Sequence, residues 1–591
     1  MMESHLGDCV KYDVAEIDPD KVWDAIVIGS GIGGLATASL LAQNGKKVLV
    51  LEQHWTAGGC THTFESNGYR FGTGIHYIGS MHEGGIHKMT LDSLTPVGDP
   101  VVWDKIEEPY ETAILGAASS RYDRFSDHDI FKKYLLEKFP SESKGIEEYF
   151  RSLKEANAAF NRSFLFKSIP LPIAQFLTWT GLHKLIDGGY SKWASISLQK
   201  ALENMTENKE LQGLLAANFP DYGTDPSRSP FVIHAVIMNA YRHGAYYPHG
   251  GPSRIATKII KNLVANEGQV MVCADVKRVV VEGRGKEKKV TTGVEIKDGT
   301  VIKATTVVSD VGLINTAKHL LPPGTIDVTV DDDHVSSVAT GHLHPSQTFL
   351  FLNVGLSMSP EKLNLPKGGL FFIHASNDLP GNMEKVEAMS IESALKDESI
   401  AEAMEGEELH LGPIIVNPAC VHDKSWSKDY PGKSTLEIIT ELPYSWFAKY
   451  ESDRGKEYEQ MKTRLADKVW RRVAEVLEAD CPDLPKGLEG VDHFQIGTPL
   501  TASRLLGSEH GAAYGLEPNM KRFEPSMYYL RLRSKLPEVS GLYLTGQDIV
   551  TPGFPAAMMG GLVCAAVMLE VTDPFTLLQG GATEGSPQSK S

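Results

Sequence analysis

Cysteine is scarce. The 591 residues contain six (Cys9, Cys60, Cys273, Cys420, Cys481 and Cys564), and no two form a C-x-x-C pair. That is too few and too scattered for a disulfide scaffold, and it lacks the ligand spacing of a structural zinc site. A reducing compartment and no metal are expected. Basic residues are also short: 58 Lys and Arg face 75 Asp and Glu, for a net charge of −17. No cationic excess is left to neutralise phosphates, which excludes a nucleic-acid binder. Low-complexity blocks are missing too, since the 32 prolines are scattered and 42% of residues are hydrophobic, too many for a disordered chain. Residues 1–21 have neither the basic start and apolar run of a signal peptide nor the Arg- and Ser-rich character of a transit peptide, so no targeting segment is read there. The length implies several domains, or one large core with an inserted partner.

What the chain does have starts at Trp23. Asp24-Ala-Ile-Val-Ile-Gly29 is a short, mostly apolar, β-branched run of the kind buried on both faces of a parallel sheet. It leads into Gly29-Ser30-Gly31-Ile-Gly33-Gly34, then a helical stretch ending near Asn44-Gly45, then a second run, Lys47-Val-Leu-Val-Leu-Glu52. Such a βαβ unit turns on glycine so that backbone can approach a pyrophosphate at a helix N-terminus, and Glu52 is placed to accept from a ribose diol. The alternative is a bland glycine turn. No second fingerprint occurs, so any electrons come from a diffusing carrier such as NAD(P)H or from a partner reductase.

Two further segments resemble FAD-dependent oxidoreductases related to glutathione reductase and the amine oxidases. Gly541-Leu-Tyr-Leu-Thr-Gly546-Gln-Asp548 is a β-run closing on Gly and Asp, followed by Thr551-Pro-Gly553 and an apolar stretch to Leu569. By that resemblance Asp548 bonds the ribityl chain, and Gly553 opens a helix whose positive end faces the flavin. A transmembrane reading of 553–569 is disfavoured by its glycines and prolines. Residues 268–276, 277–282, 292–296 and 301–309 read as strands and a meander, in which Val276 meets the adenine edge. The expected fold is α/β: a Rossmann-type FAD-binding domain from about residues 20–80, 244–318 and 495–572, with an inserted α+β substrate-binding and membrane-contact domain from 81–243 and 319–494, and a flexible tail at 573–591.

Several motifs narrow the resemblance. Leu51-Glu-Gln53-His54, Ala57-Gly58-Gly59-Cys60-Thr-His62, Thr73-Gly74-Ile-His76, Phe219-Pro-Asp-Tyr222-Gly223, Tyr247-Pro-His249-Gly250-Gly251, Gly511-Ala-Ala-Tyr514-Gly515 and Tyr543-Leu-Thr-Gly-Gln-Asp548 resemble the retinol saturases, within the phytoene desaturase and carotenoid isomerase flavoprotein superfamily. The resemblance spans about 23–569. It departs at Thr61, where relatives commonly have Cys, and at Gly72, where they have Asp. It implies FAD as cofactor, held by Gly29, Ser30, Gly31, Gly33, Gly34, Glu52, Gln53, Gly58, Gly59, Cys60, Thr73, Gly74, His76, Val276, Gly546, Asp548 and Gly553. It also implies saturation of one C=C bond of a retinoid or carotenoid-like polyene, with redox-neutral isomerisation or hydration as the alternative. A non-catalytic carrier and an amine oxidase fit less well.

An unpolarised alkene offers little electronic grip, so placement in an apolar tunnel and a proton donor must do the protein's share. Tyr514, Tyr247, His62 and His76 are the candidate donors, with Tyr222 and His249 behind them; each has a bland reading as a packed or cofactor-bonding side chain. Residues 164–186, apolar and interrupted by prolines, suit an element lying in a membrane headgroup zone, flanked by Lys167, Lys184 and Trp179; the alternative is a core helix. The resemblance places the protein at an intracellular membrane, of the endoplasmic reticulum or a plastid. Residues 331–333 and 396–408 read as acidic surface. The sequence sets no oligomeric state.

Overall fold

The computed structural model describes residues 7–116, 119–283, 289–326, 343–395 and 411–578. The acidic stretches at 331–333 and 396–408, residues 284–288 between two strands of the meander, and residues 579–591 lie outside them.

Two large sheets organise the described residues. The first has nine strands. Its main path runs Val10–Lys11, Gln269–Val272, Val48–Leu51, Val22–Ile28, Val301–Ser309, Lys289–Ile296 and Val276–Glu282, with Val539–Ser540 and Leu542–Leu544 added alongside. Val22–Ile28 lies parallel to both neighbours, whereas the last three strands of the path form the antiparallel meander expected from sequence. The parallel strands are apolar throughout because both faces are covered. Ala25, Val27, Val48 and Val50 pack with helices Ile32–Gln43, Ser253–Ala265 and Phe554–Met568, while Ile26, Ile28, Leu49 and Leu51 face the other way into the largest core cluster.

Helices Ile32–Gln43 and Phe554–Met568 are apolar all round and pack against each other at small residues. A Cβ on Gly561 would stand 2.6 Å from both the Ala36 Cβ and the Gly33 carbonyl. The second helix is therefore an interior element. Among the described residues, no helix is long and apolar enough to cross a membrane.

The second sheet has seven strands, in the order His493–Gly497, Phe349–Leu356, Ser434–Glu441, Ile414–Asn417, Leu370–His374, Glu111–Leu115 and Ser120–Arg124. Its residues alternate in the period of two that a strand imposes. Leu350, Leu352, Ile438 and Ile414 pack with helix Lys456–Val476, while Phe349, Phe372, Ile415 and Ile439 form a separate cluster on the opposite face with Tyr77, Tyr241 and Tyr514. A three-stranded sheet, Ile78–Gly79, Ala245–Pro248 and Trp103–Lys105, carries Tyr247.

Three segment edges differ from the sequence reading. Val10–Lys11 joins the first sheet ahead of residue 20, through pairing with Met271 and Val272. His493–Gly497 pairs with Phe349–Leu356 in the second sheet, so the last segment of the first sheet starts beyond 495. Pro574–Leu578 forms a helical turn whose Leu577 and Leu578 pack on the helices of the first sheet, rather than fraying with the end of the chain.

Candidate active site

The glycine turn is a cradle by steric necessity. Gly29 has φ +93°, a conformation that glycine alone adopts cheaply. A Cβ on Gly33 would lie 2.5 Å from Gly546 Cα, and one on Gly34 would lie 2.5 Å from the Gly29 carbonyl. Glu52 closes the cradle: one carboxylate oxygen accepts from the Ser30 amide (3.0 Å) and hydroxyl (2.6 Å), the other from the His54 amide (2.8 Å). The Ser30 hydroxyl in turn accepts from Gly58 N at 2.9 Å, tying the 58–60 loop to the turn. Val276 follows Ala274, whose amide donates to the Glu52 carbonyl at 2.8 Å, and so belongs to this edge. Gln53 is exposed, with its side-chain amide beside Gly507.

Asp548 is buried and accepts from Leu313 N (2.7 Å) and Leu516 N (3.0 Å). Gly546 has φ +86° and Gly553 φ +93°, the latter with open space where a Cβ would point. The sequence reading missed Asp310, directly after the strand ending at Ser309. Its carboxyl lies against Gly31, Gly33, Gly34 and Gly546. Burial, with Glu52 and Asp548 adding to it against a hydrogen bond from the Gly34 backbone, pushes that carboxyl up to about 8. The buried carboxylate at 52, the glycine cradle and the helix N-terminus form a donor and acceptor set that fits a dinucleotide.

The 73–76 turn sits against the 58–62 loop. Thr73 donates from its amide (3.2 Å) and hydroxyl (2.9 Å) to the His62 carbonyl, and a Cβ on Gly74 would stand 2.9 Å from the Cys60 Cβ. Cys60 retains accessible surface yet lies deep enough that burial, with the Asp310 charge, pushes its thiol up to about 11. A thiol so shifted is no thiolate nucleophile at neutral pH.

The candidate donors are held differently. His62 Nδ1 bonds the Gly59 carbonyl at 2.7 Å, and burial lowers its pKa, which keeps it neutral. Tyr247 is enclosed, near Arg70 and with its ring 6.2 Å from that of His422; burial raises its hydroxyl well above the usual tyrosine value. The Tyr514 hydroxyl donates to the Pro220 carbonyl at 3.2 Å, and burial raises it likewise. Tyr222 bonds His234 at 3.3 Å within the helical layer, and His249 is exposed beside Asp104 at 2.8 Å.

His76 has the strongest partner, and one that sequence did not supply. Its Nδ1 lies 2.8 Å from Oε2 of Glu437, which is buried in the second sheet 361 positions away. Glu437 also accepts from Gly72 N (2.6 Å) and Asn417 Nδ2 (2.7 Å). The carboxylate thus braces the 72–76 turn against the second sheet. The departure at Gly72 has a physical account here: a Cβ on Gly72 would lie 3.3 Å from Glu437 Oε1, so an Asp there would set two carboxylates together.

The geometry connects the two sheets. Gly515 lies against the Asp548 carboxylate, and Tyr514 occupies the space that a Gly223 side chain would need. Phe349, Phe372, Ile415 and Ile439, on one face of the second sheet, pack with Tyr77 and Tyr514.

Comparison with known proteins agrees with this arrangement. Residues 27–94 match the NAD(P)-binding Rossmann-like domain family. Among solved structures, cyclohexylamine oxidase from Brevibacterium oxydans superposes with a TM-score of 0.52 at 14% identity, covering 94% of this chain and 100% of that one, a likeness of fold. The chain is 34% identical to the all-trans-retinol 13,14-reductase of Homo sapiens, covering 93% of this chain and 86% of that protein. It is 33% identical to that of Danio rerio, covering 92% and 86%. With a glycine cradle and a continuous match at that level, the chain belongs to the all-trans-retinol 13,14-reductase family.

Proposed function

We propose that the protein is an FAD-dependent oxidoreductase that saturates one C=C bond of a retinoid or carotenoid-like polyene. The observation that carries this reading is the apolar and aromatic face of the second sheet, Phe349, Phe372, Ile415 and Ile439, set against segments that also touch the dinucleotide cradle. A greasy, rod-shaped substrate suits such a wall, and a polar or cationic one does not. Residues 29–34, Glu52, Gly58 to Cys60, Thr73, Gly74, Val276, Gly546, Asp548 and Gly553 would hold the FAD, with electrons supplied by NAD(P)H or a partner reductase. Reduced FAD supplies hydride chemistry when bound. The chain's own part is to fix the polyene's register, exclude water and deliver a proton. We assign the first sheet and its helices to the cofactor, and the second sheet with the helices of 128–240 to the substrate. His76, fixed through Glu437, and Tyr514, fixed through Pro220, would position the substrate.

The test is anaerobic incubation of the reduced enzyme with all-trans-retinol and with a cis-carotenoid, followed by mass spectrometry. Two added hydrogens are expected; an unchanged mass with altered geometry, or one added water, would replace the reading with isomerisation or hydration.

Membrane attachment through 164–186 is part of the proposal. The segment folds as short helices Leu165–Ser168, Leu171–Trp179 and His183–Ile186, with Phe176 56%, Trp179 87% and Leu185 80% exposed. Clustered apolar exposure of this kind marks a membrane or protein contact. Lys167 is no headgroup anchor: it is buried, its Nζ donating to the Tyr528 and Leu532 carbonyls at 2.5 Å each. We infer a monotopic contact with an endoplasmic reticulum or plastid membrane. Phe176→Ser, Trp179→Ser and Leu185→Ser combined are expected to shift the protein from pellet to supernatant in vesicle co-sedimentation; an unshifted variant would contradict it.

A further inference from the structure

We propose that Tyr77 gives the substrate carbon its proton and that Asp221 restores the proton to Tyr77. The inference rests on the polyene-saturating reading and supplies the acid that reading requires.

Tyr77 stands three residues beyond Gly74, which packs on Cys60, and it joins the apolar cluster with Phe349, Phe372 and Tyr514. It keeps accessible surface while lying deep, as does Asp221. The phenolic oxygen is 2.5 Å from Asp221 Oδ1. Asp221 ends the short helical turn Phe219–Asp221, directly after Pro220, whose carbonyl holds Tyr514. Its Oδ2 is buried beside the Asn218 side chain and makes no hydrogen bond of regular geometry. No other phenol of the apolar cluster is bonded to a carboxyl among the described residues: Tyr514 is committed to a carbonyl, and Tyr110 and Tyr241 only stack, 5.6 Å apart.

The direction of the Tyr77–Asp221 hydrogen bond depends on the carboxyl. Ionised, Asp221 accepts from Tyr77 and holds the phenolic proton. Protonated, it donates to Tyr77 Oη over the same separation, and the phenolic O–H is free to turn away from the carboxyl toward the apolar cluster. Burial, with the nearby Glu111 charge, pushes Asp221 up to about 8, against the opposing effects of Tyr77, Arg124 and Asn218. Tyr110, Tyr222, Tyr241 and Tyr514 also face it, and burial holds all four phenols neutral. The upward direction of that shift favours the donating arrangement.

The step balances. The polyene carbon that does not take the hydride and its electron pair from the reduced flavin forms a C–H bond as Tyr77 Oη–H breaks. The electron pair left on Oη takes the Asp221 proton, and the carboxylate recovers one from solvent between turnovers.

The test uses full-length, FAD-loaded, reduced enzyme in single turnovers with all-trans-retinol. The wild-type rate is expected to fall as pH rises through about 8. Tyr77→Phe should slow saturation by about a hundredfold or more, the range for loss of a general acid. Asp221→Asn should slow it and remove the fall near pH 8. Difference infrared spectroscopy gives a readout independent of turnover: a protonated-carboxyl band at pH 7, lost through about pH 8 and absent from Asp221→Asn. Stability gives another. A folded pKa above the unfolded value of about 3.9 means that stability is lost as pH rises from about 4 toward the folded pKa, so Asp221→Asn should raise Tm more at pH 8 than at pH 5. Tyr77→Phe at the wild-type rate, or Asp221→Asn retaining both the pH limb and the infrared band, would overturn the proposal. A wild-type enzyme that forms no saturated product would instead sink the functional reading, while the infrared result would still report on the acid.

Discussion

Glu52→Ala should give a folded protein that purifies colourless, its affinity for FAD reduced by at least about a hundredfold. Glu52 is 8% exposed and holds three donors, the Ser30 amide and hydroxyl and the His54 amide. Hydrogen bonds to a charged group are each worth about 1.5–3 kcal/mol, and a buried donor left unpaired costs a further 1–3 kcal/mol or so. The substitution removes the proposed ribose acceptor and also frees Ser30, whose hydroxyl anchors Gly58, so the loop carrying Cys60 loses its tie to the glycine turn. A loss of about 2.8 kcal/mol already corresponds to a hundredfold. The flavin-to-protein absorbance ratio and titration of FAD into stripped protein measure it, with circular dichroism confirming the fold. Stoichiometric flavin in the variant would show that the cradle holds the cofactor by other means.

Glu437→Gln should lower kcat by about a hundredfold with little change in KM. The substitution keeps size and shape but replaces one accepting oxygen with a donating NH2. Gly72 N, His76 Nδ1 and Asn417 Nδ2 all converge on this one carboxylate, so one of them must face a donor. The 72–76 turn then shifts, taking with it Gly74 against Cys60. A displacement of about 1 Å in a site that works by placement costs on the order of a hundredfold. Stopped-flow rates at saturating retinol, with Tm as a control, provide the check. A kcat within about threefold of wild type would make the brace structural and not functional.

The first sheet and its glycine turn were legible because their determinants are local. A β-branched run, a glycine turn and a terminal Glu52 occur within some thirty residues, and each has a physical reason to be there. The helix at Phe554–Met568 was legible for another reason, since its glycines and prolines argued against a lipid span, and the structure buries it against Ile32–Gln43. The contacts of the second sheet were not. Glu437 sits mid-strand in Ser434–Glu441, flanked by apolar and hydroxyl-bearing residues with no motif around it, and acquires meaning only through a contact across 361 positions. Asp310 follows a strand as many loop carboxylates do, and nothing local shows that four glycines surround it. Asp221 lay within a motif read for resemblance, but its partnership with Tyr77 spans 144 positions. Lys167 was misread because a lysine beside an apolar run suggests a headgroup anchor, whereas the fold offers it two carbonyls in the core.

The central claim is that one double bond of a polyene receives two hydrogens, with the protein supplying placement and a proton. Its most direct measurement is the mass of the product from anaerobically reduced, FAD-loaded enzyme and all-trans-retinol in a single turnover. The account predicts retinol plus two hydrogens, formed in step with flavin oxidation; unchanged retinol, or a product of equal mass with the flavin still reduced, would contradict it.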